Sequence, residues 1–120
     1  MPIHPLESRE DYDAAVGSDR PAIVFKHSPA CGTSFMALRV VSAFAERHPA
    51  VPVFLVDVIN QRGLSDGIAD GLGIRHESPQ AIVTQAGKAV WSASHGSINA
   101  NALAERIASA AAATATTPGA

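Results

Sequence analysis

One residue in this chain combines a soft nucleophile with a position able to activate it: Cys31, the only cysteine among 120 residues. It lies in His27-Ser28-Pro29-Ala30-Cys31-Gly32-Thr33-Ser34, which joins an apolar run, Ala22 to Phe25, to a long amphipathic segment. A strand that passes through a short Pro/Gly/Ser loop into a helix leaves unbonded amide N–H groups and the positive dipole end near the sulfur. Both favour thiolate over thiol, and such placements bring a cysteine pKa from about 8.5 to roughly 3.5–7.5. The alternative is a buried, inert thiol, common for this residue type. Ser34 stands three residues on, where redox C-x-x-C motifs carry their second cysteine. It can donate a hydrogen bond to the sulfur or bond back to its own helix, but it cannot form a disulfide. The motif therefore reads as C-x-x-S, a one-thiol redox site.

Lys26 and His27 end the preceding strand, where a nearby cation would favour thiolate further. The competing readings are a solvated strand end for Lys26 and a packed imidazole for His27. With a single cysteine no internal disulfide forms, which fits a reducing cytoplasm, and a redox cycle must borrow its second thiol from another molecule.

The elements that hold these residues follow from periodicity. Ser8-Arg9-Glu10-Asp11 resembles a capping box and opens a helix over about 8–17, with Gly17 as the stop. Ala22 to His27, apolar on both faces, suits a buried parallel strand. A second helix is expected from Cys31 to Arg47, with Arg39, Ser42 and Glu46 as a polar stripe and Phe35, Met36, Leu38, Val40, Val41 and Phe44 packed around it. Val53 to Val58 is a second buried strand, parallel to the first through the helical crossover. Asn60 is expected to cap a third helix, marked by Leu64, Ile68 and Leu72 and weakened by Gly63, Gly67 and Gly71, that ends at Gly73. Pro79 precedes a third strand, Gln80 to Thr84, and Ala86-Gly87 turns it into a fourth, Lys88 to Ala93. A last helix begins near Ser97, with Ile98, Leu103 and Ile107 inward. Residues 1–111 are expected to form one domain, and the Ala/Thr-rich stretch 112–120 a disordered tail.

Composition narrows the class. Hydrophobic residues make up 47%, charged residues 17%, and net charge is −2. The nine Lys and Arg are scattered, so no nucleic-acid partner is expected. No apolar run reaches the ~20 residues that span a bilayer. The start, Met1-Pro2-Ile3-His4-Pro5, lacks an export signal's basic and apolar regions, so a cytoplasmic protein is expected; separately, a monomer is expected. No C-x-x-C or H-x₃-H spacing supports a closed metal site.

The order α-β-α-β-α-β-β-α, with two parallel strands and then an antiparallel hairpin, is the thioredoxin-type arrangement: a three-layer α/β/α sandwich on a four-stranded mixed sheet. That fold places a proline, usually cis, before the third strand and opposite the cysteine, and Pro79 stands there; an X–Pro bond makes cis accessible. Lys26-His27-Ser28, Cys31 with Ser34, Glu77-Ser78-Pro79-Gln80 and the later Trp91, Ser94, His95 and Gly96 together resemble the monothiol bacilliredoxins, over residues 20 to 108. Gly32 stands where that family commonly has proline, followed by Thr33. The C-G-x-S form is similar to monothiol glutaredoxins, whose T-V-P motif is absent here.

The resemblance implies removal of bacillithiol from protein mixed disulfides through Cys31. Ser34, Lys26 and His27 would then support the thiolate. Ser28, Gly32, Thr33, Ser78 and Pro79 would bind the small thiol or client. Glu77 is open to three readings, a proton carrier, a group that repels acidic partners or a structural carboxylate, and His95 to two, a site contact or a cap on the last helix. No tightly bound cofactor is implied; bacillithiol acts as co-substrate, and S-thiolated client proteins are the partners. Two other readings stand beside it. One is a glutaredoxin-like protein that uses glutathione or bridges an Fe–S cluster, and the other is a non-catalytic thioredoxin-like binding module.

Overall fold

A computed structural model describes residues 3–116. Its elements are β1 (Ile3–Pro5), α1 (Arg9–Val16), β2 (Ala22–His27), α2 (Gly32–Arg47), β3 (Val53–Asp57), α3 (Arg62–Leu72), β4 (Gln80–Gln85), β5 (Lys88–Ser94) and α4 (Ala100–Thr116), with a 3-10 turn at His95–Ser97. The sheet runs β1-β3-β2-β4-β5. β1 and β2 flank β3 in parallel, and β4 and β5 are antiparallel to what precedes them.

The sheet thus has five strands, one more than the sequence leads one to expect. β1 is three residues long and ends at Pro5, too short to show a period. It is held by burial of Ile3 at the sheet edge, and just after it Leu6 is buried and donates its amide to Leu55. Centrality of β2 explains its sequence. All six of its residues are buried, Ile23 and Phe25 against α2 and α4, Val24 against α1 and α3. A strand covered on both faces needs apolar residues at successive positions.

Local chemistry sets most of the boundaries. The Ser8 hydroxyl accepts from the Asp11 amide, and the shorter Asp11 carboxylate reaches back to the Glu7 amide. Gly73, at φ +67°, closes α3 in the left-handed region. Ala86 and Gly87 both have positive φ, which is the backbone of a tight hairpin turn. Asn60 does not cap α3: its amide and side chain both bond Asp57, and the helix starts at Arg62. Asn99 caps α4 by accepting from the Ala102 amide.

Two further expectations change. Phe35 and Met36 are 48% and 63% exposed, so the first turn of α2 turns apolar side chains to solvent. α4 continues to Thr116, past the expected boundary at Ala111, because a run of alanines, the strongest helix formers, contains nothing to stop it. Residues 117–120, like Met1 and Pro2, lie outside the described residues.

Candidate functional site

The loop after β2 and the segment before β4 meet at one end of the sheet, since β2 and β4 are antiparallel neighbours with Lys26 opposite Gln80. Cys31 emerges there, half-buried, as the residue immediately before α2. Its backbone is extended, at φ −121° and ψ 124°, which is the ordinary geometry of a helix N-cap. The sulfur closes no full cap bond. The amides of Ser34 and then Thr33 nevertheless face it and hold its pKa below the ordinary thiol value, against some desolvation, with help from the Thr33 hydroxyl. The activation expected from a helix start is therefore in place, and it comes from backbone N–H groups.

The expected side-chain helpers are placed differently. Ser34 is fully buried, and its hydroxyl oxygen accepts from the Ser28 amide at 2.9 Å and lies 2.8 Å from His27 Nδ1. That hydroxyl is engaged with the strand end and loop; neither of the roles expected for it, donor to sulfur or back-bond to its helix, is what it does. It pins the loop in which the Ser28 carbonyl also accepts from the Cys31 amide. His27 is packed edge-on against Phe35, at 4.9 Å between centroids. Burial lowers its pKa more than Asp57 raises it, so at neutral pH it is an uncharged imidazole rather than a cation.

Lys26 is the larger correction. Strand side chains alternate, and Lys26 lies on the α3 face, away from α2. Its ammonium is fully buried and donates to the Ser65 carbonyl and to His76 Nδ1, each at 3.0 Å. It is absent from the groups that shift Cys31. Burial pushes Lys26 down to about 8, partly opposed by Asp66. His76, Ser65 and Asp66 are thus a polar group that the sequence reading did not single out; their only sequence signal is a lysine inside an otherwise apolar run.

Gly32 is the first helical residue, where proline is pre-organised, and a Cβ there would meet nothing within 4 Å. The surface beside the sulfur is open on that side, and Thr33 is exposed next to it. Opposite, the Ser78–Pro79 peptide is cis, with Ser78 half-buried and Pro79 buried. The Pro79 carbonyl accepts from the His95 amide. Glu77 accepts from the Ser94 hydroxyl at 3.0 Å and lies 3.9 Å from His95 Nδ1. Glu77 and His95 therefore tie the proline segment to the end of β5, and the turn holding His95 packs on α2. Trp91 is only partly buried, with the Arg106 guanidinium 5.8 Å over its ring. Among the described residues no three His, Cys, Asp or Glu side chains cluster as metal ligands do. No helix among them is long and apolar enough to cross a membrane.

Solved structures share this arrangement. A thioredoxin-fold protein provisionally described as an oxidoreductase matches with a TM-score of 0.79 and 33% identity, over 86% of this chain and 91% of its own. Thioredoxin from Trypanosoma brucei brucei matches at 0.74 with 17% identity, over 89% and 88%. Fasciola hepatica thioredoxin matches at 0.70 with 22% identity, over 88% and 96%. These two share the fold. The model of the monothiol bacilliredoxin family, BrxC, matches residues 4–103. With its single activated cysteine at a helix start and its cis-proline across the same end of the sheet, the chain belongs to the monothiol bacilliredoxins and has a thioredoxin fold.

Proposed function

We propose that this protein removes bacillithiol from protein mixed disulfides in a bacterial cytoplasm, acting as a monomer with Cys31 as its nucleophile. The observation that carries the reading is a lone, accessible cysteine whose thiolate is favoured by the amides of Ser34 and Thr33, in a chain of this family. Cys31 thiolate attacks the bacillithiol sulfur of the client mixed disulfide. That S–S bond breaks, the client leaves as thiolate and takes a proton from solvent, and a Cys31–bacillithiol disulfide forms. A second bacillithiol thiolate attacks the bacillithiol sulfur of this adduct. Bacillithiol disulfide departs and Cys31 thiolate returns. The client sulfur is reduced to a thiol and the one incoming bacillithiol is oxidised, while the bacillithiol of the mixed disulfide stays at the disulfide level, so electrons balance without a cofactor. Ser78, beside the cis-proline, offers backbone groups to the extended client segment.

Intact mass after exposure to bacillithiol, glutathione and coenzyme A disulfides together tests this directly, because any disulfide adduct maps to Cys31. A dominant bacillithiol adduct, removed by free bacillithiol, is the expected result. A dominant glutathione adduct would move the function to the glutaredoxin-like reading. No adduct at neutral pH, with the fold intact, would leave a binding module.

A further inference from the structure

Val58, Ile59, Arg62, Asp66 and His76 line a cleft of about 210 Å³ at the same end of the sheet as Cys31. The connection is direct: the Val58 amide donates to the carbonyl of His27, the residue that starts the Cys31 loop, and His76 lies two residues before the cis peptide. An ammonium carries only donors, so the buried Lys26 makes His76 Nδ1 an acceptor and leaves the ring proton on Nε2. The lysine thereby fixes one imidazole tautomer in the cleft wall. Beside it stands the Arg62 guanidinium, in a first turn of α3 that has neither an acidic residue nor a side-chain cap, so the helix N-terminus adds positive potential. Asp66 is the one acid in the wall.

We propose that this cleft seats a carboxylate arm of the low-molecular-weight thiol while its sulfur is joined to Cys31. The inference rests on the function proposed above and names residues that select the small thiol. The volume is below the roughly 300–1,000 Å³ of sites that enclose a whole ligand, so the cleft takes one arm. Arg62 supplies a planar pair of donors suited to a carboxylate, and His76 Nε2–H a third. Buried beneath, Lys26 acts as a positioning residue through His76.

The test compares bacillithiol disulfide with the same disulfide esterified at its malyl carboxylates, following the rate of Cys31 adduct formation by intact mass on the full chain. Wild type should prefer the free acid by about tenfold or more, the scale of a charge-assisted hydrogen bond. In Arg62→Ala and His76→Ala that preference should fall to within about twofold, and Arg62→Lys should restore part of it. His76→Ala leaves a buried ammonium short of one partner and risks the fold. Arg62 is exposed, so its variant decides the matter. Equal wild-type rates with both disulfides, or folded Arg62→Ala that keeps the wild-type preference, would overturn the carboxylate seat and leave the Cys31 chemistry standing. No adduct with either disulfide would instead overturn both.

Discussion

At the scale of single residues, Ser34 shows how a one-thiol site differs from a two-thiol one. Its hydroxyl joins the loop to the strand end through Ser28 and His27, while its amide serves the sulfur. Ser34→Ala should therefore cost about 1–3 kcal/mol of stability, because it leaves the Ser28 amide and a buried imidazole nitrogen without their partner. It should leave the thiol nearly as acidic as before. In wild type the pKa of Cys31 is lowered, so alkylation rises with pH to a midpoint below that of an ordinary thiol, and that midpoint should persist in Ser34→Ala. Iodoacetamide rates against pH, beside thermal unfolding, check both halves; a midpoint returned to the ordinary value would show that the hydroxyl acts on sulfur after all. Cys31 and Pro79 were legible in the sequence because a cysteine at a helix start and a proline before a strand each carry their own geometry. The facing of Lys26 was not. Ile23, Val24 and Phe25 are apolar on both sides, so no alternation marks which face the next side chain takes.

Helices and strands show the same division. Caps and turns with a local mechanism, Ser8, Gly73 and Ala86-Gly87, could be read directly. β1 has too few residues to display a period, and the choice between Asn60 and Arg62 as the start of α3 is made by Asp57, a contact that spacing does not reveal. The glycines of α3 divide by their surroundings. A Cβ at Gly67 would meet Arg9 Nη1 at 3.2 Å, so the Arg9 guanidinium lies against α3 there, whereas at Gly63 it would meet nothing within 4 Å. Gly63→Ala should stabilise by up to about 1 kcal/mol through helix propensity. Gly73→Ala, placed at φ +67°, should destabilise by about 1–2 kcal/mol. Chemical denaturation of the pair is the check, and equal effects would mean that conformation at the end of α3 is not what Gly73 supplies.

For the molecule as a whole, the buried lysine ties stability to pH. In the folded chain Lys26 titrates at about 8, against 10.5 when unhindered. Between these values the unfolded chain binds more protons, so stability from this group rises as pH increases from about 8 to about 10.5. Tyr12 acts in the opposite sense above 10: burial raises its pKa, and ionisation favours the unfolded chain there. Subtracting the stability curve of Lys26→Met from that of wild type cancels the tyrosine and should leave a difference that climbs through this window. A flat difference would mean that the ammonium is solvated in the folded protein. The thioredoxin-type layering itself was legible from the order of elements, since the helices show amphipathic spacing and the long strands stand out as short apolar runs between turn residues.

The direction of α4 bears on how the protein can be handled. Ile107 and Ala111 line a cleft with Pro21 and Val51, the residues that lead into β2 and β3, and Gln85 Nε2 at the end of β4 reaches the Ala110 carbonyl. The stretch of α4 around Ala110 and Ala111 thus lies at the end of the sheet opposite the nucleophile, separated from it by the length of the six-residue β2, on the order of 17 Å at a strand's rise per residue. A resin linkage made through the exposed residues 111–113 of α4 would attach on that remote side. Immobilised in this way, the protein presents its thiol outward, so that clients can be trapped from solution without the support standing in their path.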